Sequence, residues 1–258
     1  MNLSFLKQSL VILLVIISTA SLKSQNNSEK DSSKCKLKLN LGTDIMSRYI
    51  WRGADYGNAP SIQPTLAVSM GNFEVGCWSA ISLTNYYKEV DLYAKYTFKS
   101  LSLIITDYYV PSVNGTSNAA PDIRYFVYDD KKTAHSIEAS LMYKGSEKFP
   151  LWLLGGVYVY GNDKRWGYDI KKDTTEATYY SSYLEAGYTF KFKENTADLF
   201  VGFTPTYGAY GNEMGIVNVG ITGYRKIKIT NDFELPLKGS LIFNPQTSNV
   251  FFALGITL

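Results

Sequence analysis

Apolar and polar residues alternate with period two through most of the chain after Cys35. In 36–52, Leu37, Leu39, Leu41 and Ile45 share one face, with Tyr49 and Trp51 at its end. Lys36, Lys38, Asn40, Asp44, Arg48 and Arg52 share the other. In 89–99, Val90, Leu92, Ala94, Tyr96 and Phe98 oppose Glu89, Asp91, Tyr93, Lys95, Thr97 and Lys99. In 180–192, Leu184, Ala186, Tyr188 and Phe190 oppose Ser181, Glu185, Thr189 and Lys191. Successive side chains of a strand point to opposite faces, so each window reads as a strand with one apolar and one polar face. The windows run to about 9–13 residues, the length that crosses an outer membrane at a tilt, whereas soluble strands average about 5–6. After Cys35 no apolar run is long enough for a transmembrane helix, and no helical stripe competes with the alternation.

The windows predict strands near 36–51, 61–70, 73–84, 89–99, 101–110, 135–144, 149–161, 179–192, 197–208, 215–229, 233–244 and 249–258. The breaks between them alternate short and long, in phase from end to end. The short ones are Gly71–Asn72, Ser100, Gly145–Lys148, Lys193–Thr196 and Thr230–Asp232. This is the rhythm of a transmembrane antiparallel β-barrel, with short periplasmic turns, longer external loops and both termini periplasmic. The expected count is about 12 strands. Pairing of Asp122 to Asp129 as an extra external hairpin would make it 14. Tyr49 and Trp51, Tyr86 and Tyr87, Tyr108 and Tyr109, Tyr158 and Tyr160, Tyr179 and Tyr180, and Tyr207 and Tyr210 fall near strand ends. Amphipathic rings at those places predict aromatic girdles at the headgroup level.

Residues 1–24 read as a secretory signal, with Lys7 before the apolar run Leu10–Ile17 and small residues after it. Residues 25–35 read as a flexible polar lead-in, which leaves 36–258 for the barrel. The chain's formal charge is +3, and loss of Lys7 and Lys23 with the signal lowers it to +1. So small a surplus excludes a nucleic-acid partner. One histidine and two cysteines exclude a zinc finger or a disulfide-dense scaffold, and no cofactor is expected.

From Gly42 to Ser82 the motifs become specific. Ser47, Tyr49, Trp51, Arg52 and Gly53 follow an S-x-Y-x-[FW]-R-G pattern, Pro60 and Gln63 a P-x-x-Q pattern, and Gly76, Cys77 and Trp78 a G-x-W element. Glu89, Asp91, Tyr93 and Tyr96 follow as E-x-D-x-Y-x-x-Y. Over roughly residues 42–110 the chain resembles the TorF-type porins, conserved bacterial outer-membrane proteins also known by a Gly-Cys-Trp label. The resemblance implies an outer-membrane barrel with a porin role and no assured substrate. Such a location implies outer-membrane lipid, lipopolysaccharide, the barrel-assembly machinery and small solutes as partners.

The candidate pore-lining residues are Lys38, Asp44, Arg48, Arg52, Glu89, Asp91, Lys95, Glu185 and Lys191, all on polar faces. Arg48 and Arg52 have two readings. They form a basic constriction that attracts anions, or they pair internally with Glu89, Asp91 or Asp44. Gly53 after Arg52 suits a positive φ. Trp78 reads as lumen packing. Cys35 and Cys77 allow a disulfide only if non-neighbouring strands meet. His135 and Ser136 point to opposite faces of a strand, with no third residue to orient the base, so no enzyme is expected. Asp163, Asp169 and Asp173 suggest calcium less than a solvated loop, given the lysines among them. The functional expectation is passive diffusion of small hydrophilic solutes or ions. A non-conducting structural or interaction barrel is the alternative.

Overall fold

A computed structural model describes residues 36–84, 87–111, 122–163 and 178–258. The expectations for 1–35, Cys35 included, and for Tyr86, Asp169 and Asp173 lie outside those residues. The described chain is β1 (Leu37–Met46), β2 (Tyr49–Trp51), β3 (Ala54–Tyr56), β4 (Ser61–Met70), β5 (Phe73–Ser82), β6 (Lys88–Phe98), β7 (Leu101–Tyr109), β8 (His135–Ser146), β9 (Phe149–Gly161), β10 (Ser182–Phe192), β11 (Asn195–Thr204), β12 (Gly215–Lys228), β13 (Glu234–Asn244) and β14 (Asn249–Thr257). Twelve of these close into one antiparallel barrel, in which β1 pairs with both β4 and β14, while β2 and β3 form a separate hairpin. No helix occurs among the described residues.

The alternation resolves as an inverted protein. Leu39 and Leu41 are 67% and 79% exposed on the outside, while Gln63 at 6% and Glu138 at 1% are buried inside. The short breaks all fall at one end of the barrel, and the strand ends that flank the longer breaks all fall at the other. The second strand count does not hold. Asp122 to Asp129 contains turns rather than strands, with Asp122 N–H bonded to the Lys132 carbonyl.

The first strand is shorter than its period-two pattern suggests. β1 leaves the wall after Met46 and the chain doubles back as the β2–β3 hairpin. β1 therefore registers with β14 only from Asp44↔Thr257 to Met46↔Gly255, against a full-length ladder with β4 from Leu37 to Met46. Backbone bonds of Thr43 to Leu258 extend that seam at one end. At the other, Ser47 N–H donates to the Leu254 carbonyl at 2.7 Å and its Oγ accepts from Leu254 N–H at 2.9 Å.

The hairpin has a local cause. Tyr49 pairs with Tyr56 and Trp51 with Ala54, which leaves Arg52 and Gly53 as a two-residue loop. Both have positive φ, 50° and 78°, the signature of a type I′ turn whose twist matches its strands. The positive φ expected at Gly53 is present. Close approach demands glycine as well, since a Cβ there would lie 2.0 Å from the Val217 carbonyl oxygen on β12.

Candidate functional site

The hairpin points into the lumen and touches the wall on many sides. The Tyr49 ring lies 5.2 Å from Trp78 on β5, and Trp51 lies 5.5 Å from Tyr108 on β7 and 5.7 Å from Tyr210 in the 205–214 loop. The Gly53 carbonyl accepts from Asn244 Nδ2 on β13 at 3.0 Å. Arg52 anchors the tip. Its Nη2 donates to Glu138 Oε1 at 2.9 Å and its Nη1 to Oε2 at 2.5 Å, a bidentate pair with β8. The guanidinium also sits 4.4 Å from the Trp51 ring centroid, 4.6 Å from Tyr183 and 4.9 Å from Tyr210. Tyr210 and Ser140 hydroxyls donate to the same carboxylate. A buried ion pair is tolerated only when further hydrogen bonds satisfy both groups, and this one is so satisfied. Burial, with Glu89 adding, holds the Tyr49 and Tyr56 hydroxyls above the ordinary phenol range.

The pairing alternative for the arginines is therefore met, with other partners than those expected. Arg48 pairs with Asp55 inside the hairpin and Arg52 with Glu138, rather than with Glu89, Asp91 or Asp44. Neither arginine lies on strand one, because that strand ends at Met46. Asp44 instead binds Lys238 of β13 over the intervening β14 and accepts from the Thr257 hydroxyl. Lys95 pairs with Glu74 at 2.7 Å, and Lys191 approaches Glu147 at 3.9 Å near the turns. Lys38, opposite Ser69, is exposed at the short-turn end. Glu89 and Asp91 are buried side by side on β6 with no lysine or arginine partner among the described residues. Glu89 accepts from the Tyr87 hydroxyl at 2.9 Å, and Asp91 Oδ1 has no partner.

Several of the aromatic residues near the strand ends also need correction. Tyr158 and Tyr210 are buried inside, and with Tyr183, Trp51 and Tyr108 they form a cluster around the arginine rather than an outer girdle, while Tyr49, also buried, packs on Tyr56, Trp78 and Tyr87. Tyr160 does face outward, at 37% exposure. A register shift between Ile137 and Glu138 puts Tyr158 and Tyr160 on opposite sides although their spacing would keep them together. Trp78 packs in the lumen as expected, and Gly76 lies under the Tyr93 ring, where a Cβ would come within 2.5 Å.

Other candidates resolve as local ties. Cys77 faces outward between Leu66 and Leu92. His135 is buried. Its Nδ1 lies 2.9 Å from Asp107 Oδ1 and its Nε2 2.6 Å from the Tyr125 carbonyl, with Tyr128 stacked on the ring at 4.1 Å. Asp107 is thus an orienting partner that the sequence reading did not identify, yet Nε2 is taken by a backbone oxygen and not by Ser136. Asp163 accepts from Ser181 N–H at 2.8 Å and from its hydroxyl.

What the hairpin leaves open lies toward the short-turn end. A cavity of about 360 Å³ lies against the hairpin, walled by Arg48, Ile50, Trp152, Glu185 and Asn218 among others. A larger one of about 870 Å³ reaches the turns at Glu147 and Glu194. Asp198, Tyr224 and Lys238 line both, so the two adjoin. Fold and lumen together define the class: a closed twelve-strand barrel, apolar outside and polar inside, with its own hairpin packed in the lumen. Comparison with protein-family models finds no match, and comparison with curated proteins finds none either.

Proposed function

We propose that the protein is an outer-membrane channel for small hydrophilic solutes or ions, narrowed by the hairpin over residues 47–60. The observation that carries this reading is the inverted wall. An apolar exterior as extensive as this one would associate in water, whereas lipid accepts it. Closure satisfies the strand backbones that hydrocarbon would otherwise leave unpaired. The polar lumen with its adjoining cavities then supports a path for polar solutes from the short-turn end to the hairpin. The signal-like segment 1–24 supports export, and the Ser47–Gly53 motif supports kinship with the TorF-type porins. In this orientation the short turns and both termini face the periplasm.

A second reading has its own observation. The hairpin is tied to β8 by a buried bidentate ion pair and to β13 through Gly53, which favours a permanently filled, non-conducting barrel. Planar-bilayer recording of the refolded protein separates the two. The channel reading expects stable current steps. A folded, heat-modifiable barrel that gives no steps at either polarity would sink it and favour the second.

A further inference from the structure

The cavity against the hairpin has an electrostatic remainder. Arg48, Arg52 and Lys238 line it, and each is already met by a carboxylate: Asp55, Glu138 and Asp44. Glu185 and Asp198 also line it and have no lysine or arginine partner among the described residues. Their positions are staggered along the wall. Glu185 on β10 stands opposite Leu154 and Gly202, while Asp198 on β11 stands opposite Thr189 and Thr222. Between those two levels Trp152, Gly187, Phe200 and Gly220 pair in register. The glycines let the rings lie flat on the wall. A Cβ on Gly187 would fall 2.1 Å from Trp152 Cζ2, and one on Gly220 2.5 Å from Phe200 Cζ. A fixed aromatic step thus separates two uncompensated carboxylates.

Asn218 supplies an independent observation. It is buried at 4% exposure and lines the same cavity. Its Nδ2 donates to Glu185 Oε2 at 2.7 Å and to the Tyr183 hydroxyl oxygen at 2.9 Å, but its Oδ1 has no partner among the described residues. The Tyr183 hydroxyl donates to that same Glu185 oxygen. A buried acceptor without a donor is unfavourable. An orphan acceptor beside an uncompensated carboxylate calls for a ligand that brings N–H donors and a positive charge. Aromatic faces next to them suit a cation with an apolar body.

The geometry points to a binding site for small organic cations, ammonium or guanidinium compounds, between Glu185, Asn218 and the Trp152–Phe200 step. Asp198, which lines both cavities, stands at the approach from the short-turn end. The cavity's size, about 360 Å³, suits a small ligand. This inference builds on the channel reading by naming its class of solute.

The test is calorimetric titration of the detergent-refolded protein with n-butylammonium chloride, beside n-butanol and potassium chloride at the same concentrations. The expected result is saturable binding of butylammonium, none of butanol, and at least tenfold weaker binding in Glu185→Gln. Asp198→Asn lies away from the Tyr183–Asn218 network and carries the same test, with a several-fold loss, if Glu185→Gln does not refold. Absence of saturable binding, equal binding of butanol, or full affinity in the Glu185→Gln/Asp198→Asn double variant would overturn the site. The titration needs no current, so intact binding in a protein that passes none would count against the channel and for the site.

Discussion

The two ends of the lumen carry the same kinds of side chain and use them differently. Toward the long loops, Arg52 and Glu138 form an ion pair with side-chain exposures of 8% and 1%, surrounded by tyrosines. Toward the short turns, Lys226 and Glu234 stand 3.8 Å apart with exposures of 69% and 56%. The first pair fixes a hairpin across the barrel, and the second lies at the rim of an open vestibule. Burial, not the number of charges, decides which pairs hold structure. The closed end arises because the chain spends residues 47–60 inside the barrel instead of beyond it.

Removing one partner of the buried pair should have the largest effect. Glu138→Ala leaves Arg52 buried without its carboxylate and should cost about 3–5 kcal/mol in urea unfolding of the refolded protein. Replacing both, as Arg52→Met with Glu138→Leu, should recover most of that loss. A Glu138→Ala cost below about 1 kcal/mol would mean the hairpin is not held as described.

Gly53→Ala should come next. Its φ of 78° and the 2.0 Å approach of a Cβ to the Val217 carbonyl oxygen oppose any side chain. A residue forced into that conformation costs about 1–3 kcal/mol. The same unfolding measurement, with loss of protection of the 47–60 amides in hydrogen exchange, checks it.

At the open end, Lys226→Ala should change stability by less than about 0.5 kcal/mol, as exposed pairs generally do. A loss as large as that of Glu138→Ala would erase the distinction between the two ends.

Much of this was legible in the sequence, for a physical reason. Side-chain period and break length are local properties, so the pattern gives β4 at 61–70 and the other barrel strands except β1 within a few residues of their ends. The polar faces that hold Glu89, Asp91, Glu138 and Glu185 turned inward as a set. The direction of the hairpin was not legible. The odd-numbered apolar residues of β1 continue into Tyr49 and Trp51, so the pattern alone extends the strand past Met46. Arg52–Gly53 marks a turn but not its side of the wall. That side is set by Glu138, Asn244 and Tyr210, far away in sequence. The aromatic cluster was hidden for the same reason, and Tyr158 and Tyr160 were separated by a register shift that no alternation pattern records. The cation site escaped because it depends on which charges are already paired, a property of contacts rather than of faces.

The most direct test of the account compares single-channel currents of the wild-type protein and a variant whose residues 47–60 are replaced by a short Gly-Ser turn. The account predicts small steps for the wild type and a conductance several-fold larger for the variant, with cations preferred over anions in a salt gradient. Equal conductance in the two proteins, with both folded and heat-modifiable, would contradict the claim that this hairpin closes the barrel.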